Sequence, residues 1–157
     1  MTDPWTAVEE NGGELVRIED GKIQAKNHME DGDTFAVDET VAGADQDDFD
    51  GLVLPGRVSN PDFLRSDARA VAFVRAFNEA GKPIAVICHG PWTLIEAGAV
   101  AGRTMTSWPS VATDLRNVGA KWVDEEVVVD GNIISSRKPD DLPAFCRAIV
   151  EEFHLAG

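Results

Sequence analysis

Residues 81–96 read GKPIAVICHGPWTLIE, and this stretch decides the fold. Lys82 and Pro83 lead into a short, wholly apolar run, Ile84 to Ile87, with the length and composition of a central parallel strand covered on both faces. Cys88 ends the run, and the segment turns at once into a helix. Gly90 permits a close turn, Pro91 suits the first helical position because its missing N–H would be unpaired there anyway, and Trp92, Leu94, Ile95 and Ala97 keep the segment packed up to Gly98. Such a turn lifts one side chain above the carboxyl edge of the sheet, beside helix-start N–H groups that stabilise an anion. A thiol there is a candidate nucleophile, since thiolates are the reactive form and are favoured at helix N-termini. The alternative for Cys88 is an inert buried cysteine, but His89 immediately after it is an unusual choice for packing alone.

Outward from this stretch, strands alternate with helices. At the start, Asp3 can cap a helix that Pro4 opens and Gly12-Gly13 stops. Leu15 to Ile18 reads as a strand, and Ile23 to Val41 as short strands with polar turns. Leu52 to Leu54 is a buried strand ending in Pro55-Gly56. After a loop over 55–65, Ser66 caps a helix whose Ala70, Phe73, Val74 and Phe77 follow an i, i+3, i+4, i+7 pattern and which Gly81 terminates. Beyond the Cys88 helix come a short strand over Arg103 to Thr106, a short helix over Thr113 to Val118, and two strands flanking the hairpin signal Asp130-Gly131-Asn132. A last helix begins near Asp140 with Leu142, Phe145, Ile149 and Phe153 on one face. This order predicts an α/β fold, a mostly parallel sheet covered on both sides, with the site at the carboxyl ends of the strands.

The chain of 157 residues suits one domain over 1–157, and a domain of that size buries about 68–70% of its unfolded surface without disulfide staples. Two cysteines and no long apolar run favour a reducing, cytoplasmic location; Cys146 falls beside the apolar face of the last helix and is read as structural. The net charge of −14, from 28 acidic against 14 basic residues, repels phosphate backbones and argues against nucleic-acid or anionic-membrane partners. The acidic runs Glu30 to Asp33 and Asp45 to Asp50 lack the spaced ligands and closing Glu of a calcium loop, so they read as solvated surface and no metal site is expected.

Spacing also tests cysteine chemistries. A cysteine phosphatase loop wants an Arg shortly after the nucleophile, and Gly90 to Glu96 has none; an amidotransferase triad wants His and Glu spaced by one residue near the C-terminus, and His154 is followed by Leu155-Ala156. Neither GxSxG nor CxxC is present.

What remains resembles the DJ-1/PfpI family, on ICHGP and on LVLPG (52–56), NPDFLR (60–65), GRTMTSWPS (102–110), DLRNVGAKWVDEEVVVDGN (114–132) and SSRKPDDLPAF (135–145). The resemblance covers the chain from residue 3 onward. It implies a flavodoxin-like three-layer sandwich of the class I glutamine amidotransferase kind. It also implies Cys88 as nucleophile, His89 as general base or orienting partner, and Asp62 reaching His89 from an adjacent subunit, hence a homo-oligomer, dimer or hexamer. For Asp62 the alternative is a turn carboxylate. The oxyanion donors would be the backbone N–H groups of Gly56 and His89. Trp108, Arg57 and Gly90 would line the pocket, with a core Trp108 and a solvent-facing Arg57 as the plainer readings.

Two departures stand out. Similar proteins have a second glycine where Arg57 stands, and they begin with a strand and an acidic loop whose Glu bonds the cysteine sulfur. The resemblance therefore implies a first strand missing from beside the Cys88 strand, with Met1 read as an internal methionine of a truncated chain. A helix N-terminus without that Glu predicts a Cys88 pKa nearer neutrality than in a relative that has the Glu, and weak catalysis. The implied function is a stress-response enzyme acting on small carbonyl substrates, peptides or damaged proteins, as peptidase or amidase, glyoxalase or deglycase, with no cofactor. A non-catalytic redox sensor or chaperone-like protein, or an inactive homologue, is the alternative.

Overall fold

The computed structural model describes residues 13, 16–18, 22–27 and 30–154, so the helix expected at the start of the chain lies outside the described residues. In chain order, strands β1 (Val16–Arg17), β2 (Lys22–Asn27), β3 (Glu30–Ala36) and β4 (Glu39–Thr40) precede β5 (Leu52–Leu54). Helices α1 (Ser59–Ser66) and α2 (Ala68–Glu79) then lead to β6 (Ile84–Ile87) and α3 (Pro91–Glu96). The remainder is β7 (Thr104–Met105), α4 (Ala112–Asn117), β8 (Lys121–Trp122), β9 (Val127–Asp130), β10 (Ile133–Ser136) and α5 (Leu142–His154).

The central sheet runs β5-β6-β10-β9, with β5, β6 and β10 parallel and the β9–β10 hairpin antiparallel. Alternation along β6 builds the two outer layers, because successive strand side chains point to opposite faces. Ile84 and Val86 join Leu54, Val74, Phe77 and Leu94 under the helices α2 and α3, while Ala85 and Ile87 join Ile134, Phe145 and Ile149 under α5. Every residue of β6 is buried, which explains its unbroken apolar run. The result is α/β with a mostly parallel sheet, as the alternation of elements predicts.

Three expectations need correction. Residues 59–66 are the helix α1 and not a loop; its N-cap, Val58, offers no side-chain hydrogen bond, so no capping signal marks its start, and it is held by packing on α2 and α3. Ser66 does not cap the next helix: its hydroxyl donates to the Phe63 carbonyl at 2.7 Å, closing α1. Asp67 caps α2, accepting from the N–H groups of Arg69 and Ala70, and the Arg69 side chain together with these bonds holds its carboxyl down at about 2. The third correction concerns the sheet. No position beside the Cys88 strand is open, since Leu54 pairs with Val86 on one edge of β6 and Ser135 on the other; among the described residues the edges of this sheet are β5 and β9.

Candidate active site

The parallel strands β5, β6 and β10 end on the same side, and the turn after β6 carries Cys88. Its φ is +64°, a left-handed conformation that costs a non-glycine residue roughly 1–3 kcal/mol and persists only where the surroundings impose it. Those surroundings are explicit. The Cys88 N–H donates to the Ser136 carbonyl at 3.0 Å, the Trp108 N–H donates to the Cys88 carbonyl at 2.9 Å, and the Gly90 N–H donates to the Ile87 carbonyl at 3.0 Å. Backbone approach completes the constraint: a Cβ on Gly90 would lie 2.5 Å from Val86 Cγ2, and one on Gly56 would lie 2.6 Å from Cys88 Cβ. Neither glycine can carry a side chain without moving the turn.

The sulfur sits 3.1 Å from His89 Nδ1. On the far side of the ring, His89 Nε2 lies 3.2 Å from the Ser110 hydroxyl. The imidazole is buried, stacked on the Trp108 ring at 6.1 Å and meeting the Trp92 ring edge-on at 5.2 Å. Trp92 is fixed in turn by its indole N–H donating to Asp114 Oδ2 at 2.8 Å and by the Arg65 guanidinium 5.1 Å above its ring. Trp108 is 37% exposed and lies on His89, so it forms a wall of the site and not part of the core.

Two backbone N–H groups reach the sulfur, those of Arg57 and His89. On the β5 turn the N–H that reaches the thiol belongs to Arg57, while the neighbouring Gly56 supplies the close approach. Arg57 itself has φ +67°, so both chain turns that face the thiol are left-handed at non-glycine residues. Burial pushes the Cys88 thiol up from its ordinary value, with these two hydrogen bonds opposing the rise. Burial likewise pushes the His89 imidazole down. Burial thus opposes the lowering of the Cys88 pKa that a helix start supplies. The α3 terminus is already spent: Pro91 has no N–H, and the Trp92 and Thr93 N–H groups donate back to the His89 and Gly90 carbonyls at 3.1 and 3.0 Å.

Asp62 lies on α1, 60% exposed, with Oδ1 accepting from Arg65 Nε at 3.1 Å. Within the chain it pairs with Arg65 and not with His89. It borders an open depression of about 610 Å³ lined by Ser59, Asp62, Phe63, Arg65, Ser66 and Glu96, which includes neither Cys88 nor His89. Ser110 was not singled out from the sequence. It falls within GRTMTSWPS, but a serine after a proline carries no motif of its own, and only the 3₁₀ turn Pro109–Val111 brings it back to a ring 21 positions upstream. Among the described residues no group of three or more His, Cys, Asp or Glu side chains is placed to hold a metal ion, and no helix is long and apolar enough to cross a membrane.

The chain has relatives among known proteins. The sequence profile of the DJ-1/PfpI family matches residues 1–152. A deglycase of Thermococcus kodakarensis is 44% identical over 150 residues, 94% of this chain and 87% of that protein. General stress protein 18 of Bacillus subtilis is 43% identical over 147 residues, 93% of this chain and 85% of that protein. Among solved structures, a two-domain protein of Anabaena variabilis with DJ-1/ThiJ/PfpI-like and ferritin-like domains superposes with a TM-score of 0.88 at 33% identity, over 99% of this chain and 44% of that longer one.

Proposed function

We propose that this chain, which belongs to the DJ-1/PfpI family, is a cysteine-dependent enzyme that attacks carbonyl or acyl carbons, as a deglycase, glyoxalase or peptidase does. The observation that carries the reading is the strained Cys88, φ +64°, with its sulfur 3.1 Å from His89 Nδ1. Strain maintained at a polar, half-buried position is characteristic of functional sites. In this reading the resting pair is neutral thiol and neutral imidazole, since burial disfavours both charges. On approach of an electrophilic carbon, the S–H bond breaks, Nδ1 takes the proton, and the sulfur electron pair forms the C–S bond while the carbonyl π pair moves to oxygen. The Arg57 and His89 N–H groups beside the sulfur are the donors available to that oxygen. His89 then returns the proton, to the oxygen of an aldehyde adduct or to the leaving group of an acyl substrate, and water releases the product in the second case.

The relative named a deglycase supports aldehyde-derived adducts as substrates, and the relative named a general stress protein supports a protective role. Two free cysteines and a net charge of −14 support a cytoplasmic setting without nucleic-acid partners. A homo-oligomer in which Asp62 of a second copy approaches His89 is also part of the proposal. Because Nε2 is already at hydrogen-bond distance from Ser110, that carboxylate would act through the hydroxyl, by accepting its proton.

The test is consumption of methylglyoxal by the full chain beside Cys88→Ser, with hydrogen peroxide and peptide mass analysis at Cys88 in parallel. Turnover abolished by Cys88→Ser supports the enzyme. Turnover that survives the substitution refutes it, and oxidation of Cys88 without any turnover of aldehyde, amide or peptide substrates would assign the site to redox sensing.

A further inference from the structure

The geometry points to Ser110 as the residue that holds His89 in the tautomer able to accept the Cys88 proton. This inference rests on the reading of Cys88 and His89 as a nucleophile and base. It follows from the two contacts on the ring, sulfur to Nδ1 at 3.1 Å and Ser110 Oγ to Nε2 at 3.2 Å. A neutral imidazole carries one proton, on one nitrogen or the other. For Nδ1 to accept from the thiol it must present its lone pair, so the proton must be on Nε2, where the Ser110 hydroxyl oxygen accepts it. After transfer both nitrogens carry protons: Nδ1–H faces the thiolate and Nε2–H still donates to Ser110. The serine oxygen is thus satisfied in both states that the reaction visits. The remaining tautomer, Nδ1–H with a bare Nε2, requires Ser110 to turn its own proton inward and leaves the thiol facing a donor, so the thiol cannot be deprotonated by the ring.

The surroundings make this an orienting contact. The ring is packed between Trp92 and Trp108, which restrict rotation about its χ angles, and the Trp92 indole N–H is already bonded to Asp114 Oδ2. Ser110 itself is set by the 3₁₀ turn Pro109–Val111, whose Pro109 fixes the backbone and whose Val111 is fully buried. Trp108 bonds its N–H to the Cys88 carbonyl, so the turn that carries Ser110 is pinned to the residue that carries the thiol. Within the chain this contact is made by Ser110, and a carboxylate from a second copy that took the Ser110 proton would reinforce it. Ser110 touches no reacting atom and acts through His89, as a positioning residue.

The test compares the wild-type chain with Ser110→Ala and Ser110→Thr by two readouts. In a two-bond ¹H–¹⁵N spectrum, with His89→Gln assigning the signal among His28, His89 and His154, wild-type His89 is expected to be protonated at Nε2. Ser110→Ala should mix the tautomers and Ser110→Thr should restore the wild-type pattern. With methylglyoxal, kcat of Ser110→Ala should fall roughly 3- to 10-fold, the worth of one hydrogen bond to a ring that gains charge, with KM within about twofold, and threonine should recover it. A wild-type His89 protonated only at Nδ1 overturns the inference. So does an unchanged tautomer in Ser110→Ala, or a loss shared equally by alanine and threonine. If the wild type turns over no substrate the enzymatic reading falls, while the spectrum and the iodoacetamide rate at Cys88 still decide what Ser110 does to the ring.

Discussion

Replacing Gly56 by alanine places a methyl carbon 2.6 Å from Cys88 Cβ, 3.0 Å from the Ile87 carbonyl oxygen and 3.5 Å from the Cys88 sulfur. Carbon pairs pack at about 3.5–4.0 Å, so roughly 1 Å of separation must be found. Neither neighbour is the far end of a flexible side chain: one is the first carbon of a residue already strained at φ +64°, the other is backbone of β6. The β5 turn must therefore withdraw, taking the Arg57 N–H away from the sulfur. Overpacking of this size costs about 1–3 kcal/mol, or a Tm decrease of about 2–4 °C per kcal/mol for a chain of this length. The effect on activity should be out of proportion, since misplacement by about 1 Å can cost on the order of 100-fold in rate. Gly81→Ala is the matched control. It strains a residue at φ +70° with nothing within 4 Å of the new methyl group, so it should cost about 1–2 kcal/mol of stability and leave the site untouched. Calorimetry gives the two Tm values, and methylglyoxal consumption and iodoacetamide labelling give the two activities. Comparable Tm losses with activity lost only in Gly56→Ala are expected. A Gly56→Ala variant that labels and turns over as Gly81→Ala does would refute the claim that this close approach positions the thiol.

The ionisation of the pair has a readable pH signature. Burial raises Cys88 above its ordinary 9.0, so the unfolded chain loses that proton first and stability should decline as pH rises past about 9. Burial depresses His89 below 6.5, so the unfolded chain binds that proton first and stability should decline as pH falls below 6.5. Tm scans of wild type and His89→Gln check this: the acid-side decline should flatten in the variant, and iodoacetamide labelling of Cys88 that plateaus below pH 8 contradicts the raised thiol. Asp62→Asn breaks only an exposed pair with Arg65, so it should change stability by no more than about 0.5 kcal/mol; a drop in kcat with unchanged Tm supports the contact from a second subunit, and a fully active monomer by light scattering removes it. Phe145→Ala empties a fully buried position between α5 and the sheet and should cost about 3–5 kcal/mol by denaturant unfolding; a loss under about 1 kcal/mol would mean that α5 does not close that face.

What the amino-acid sequence determined by itself is the part encoded in short windows. The wholly apolar run Ile84 to Ile87, the Gly90-Pro91 helix start and the period of Ala70, Phe73, Val74 and Phe77 are local patterns, and each became the element it predicts. Cys88 was legible for the same reason, because a strand-to-helix turn is a local event that displays one side chain. Helix α1 escaped because it lacks a capping side chain and is held by packing on α2 and α3. The neighbours of β6 were misplaced because strand order depends on pairings about 30 and 50 residues apart, which no window contains. Only the tertiary structure decided that the Arg57 N–H reaches the sulfur, that Asp62 faces Arg65, and that Ser110 meets His89. Each of these depends on ångström-scale distances between segments far apart in the chain. The same holds for the thiol itself: its position above the sheet was readable from residue types, but its raised pKa follows from how deeply the packed turns bury it and from which N–H groups the α3 terminus had already used.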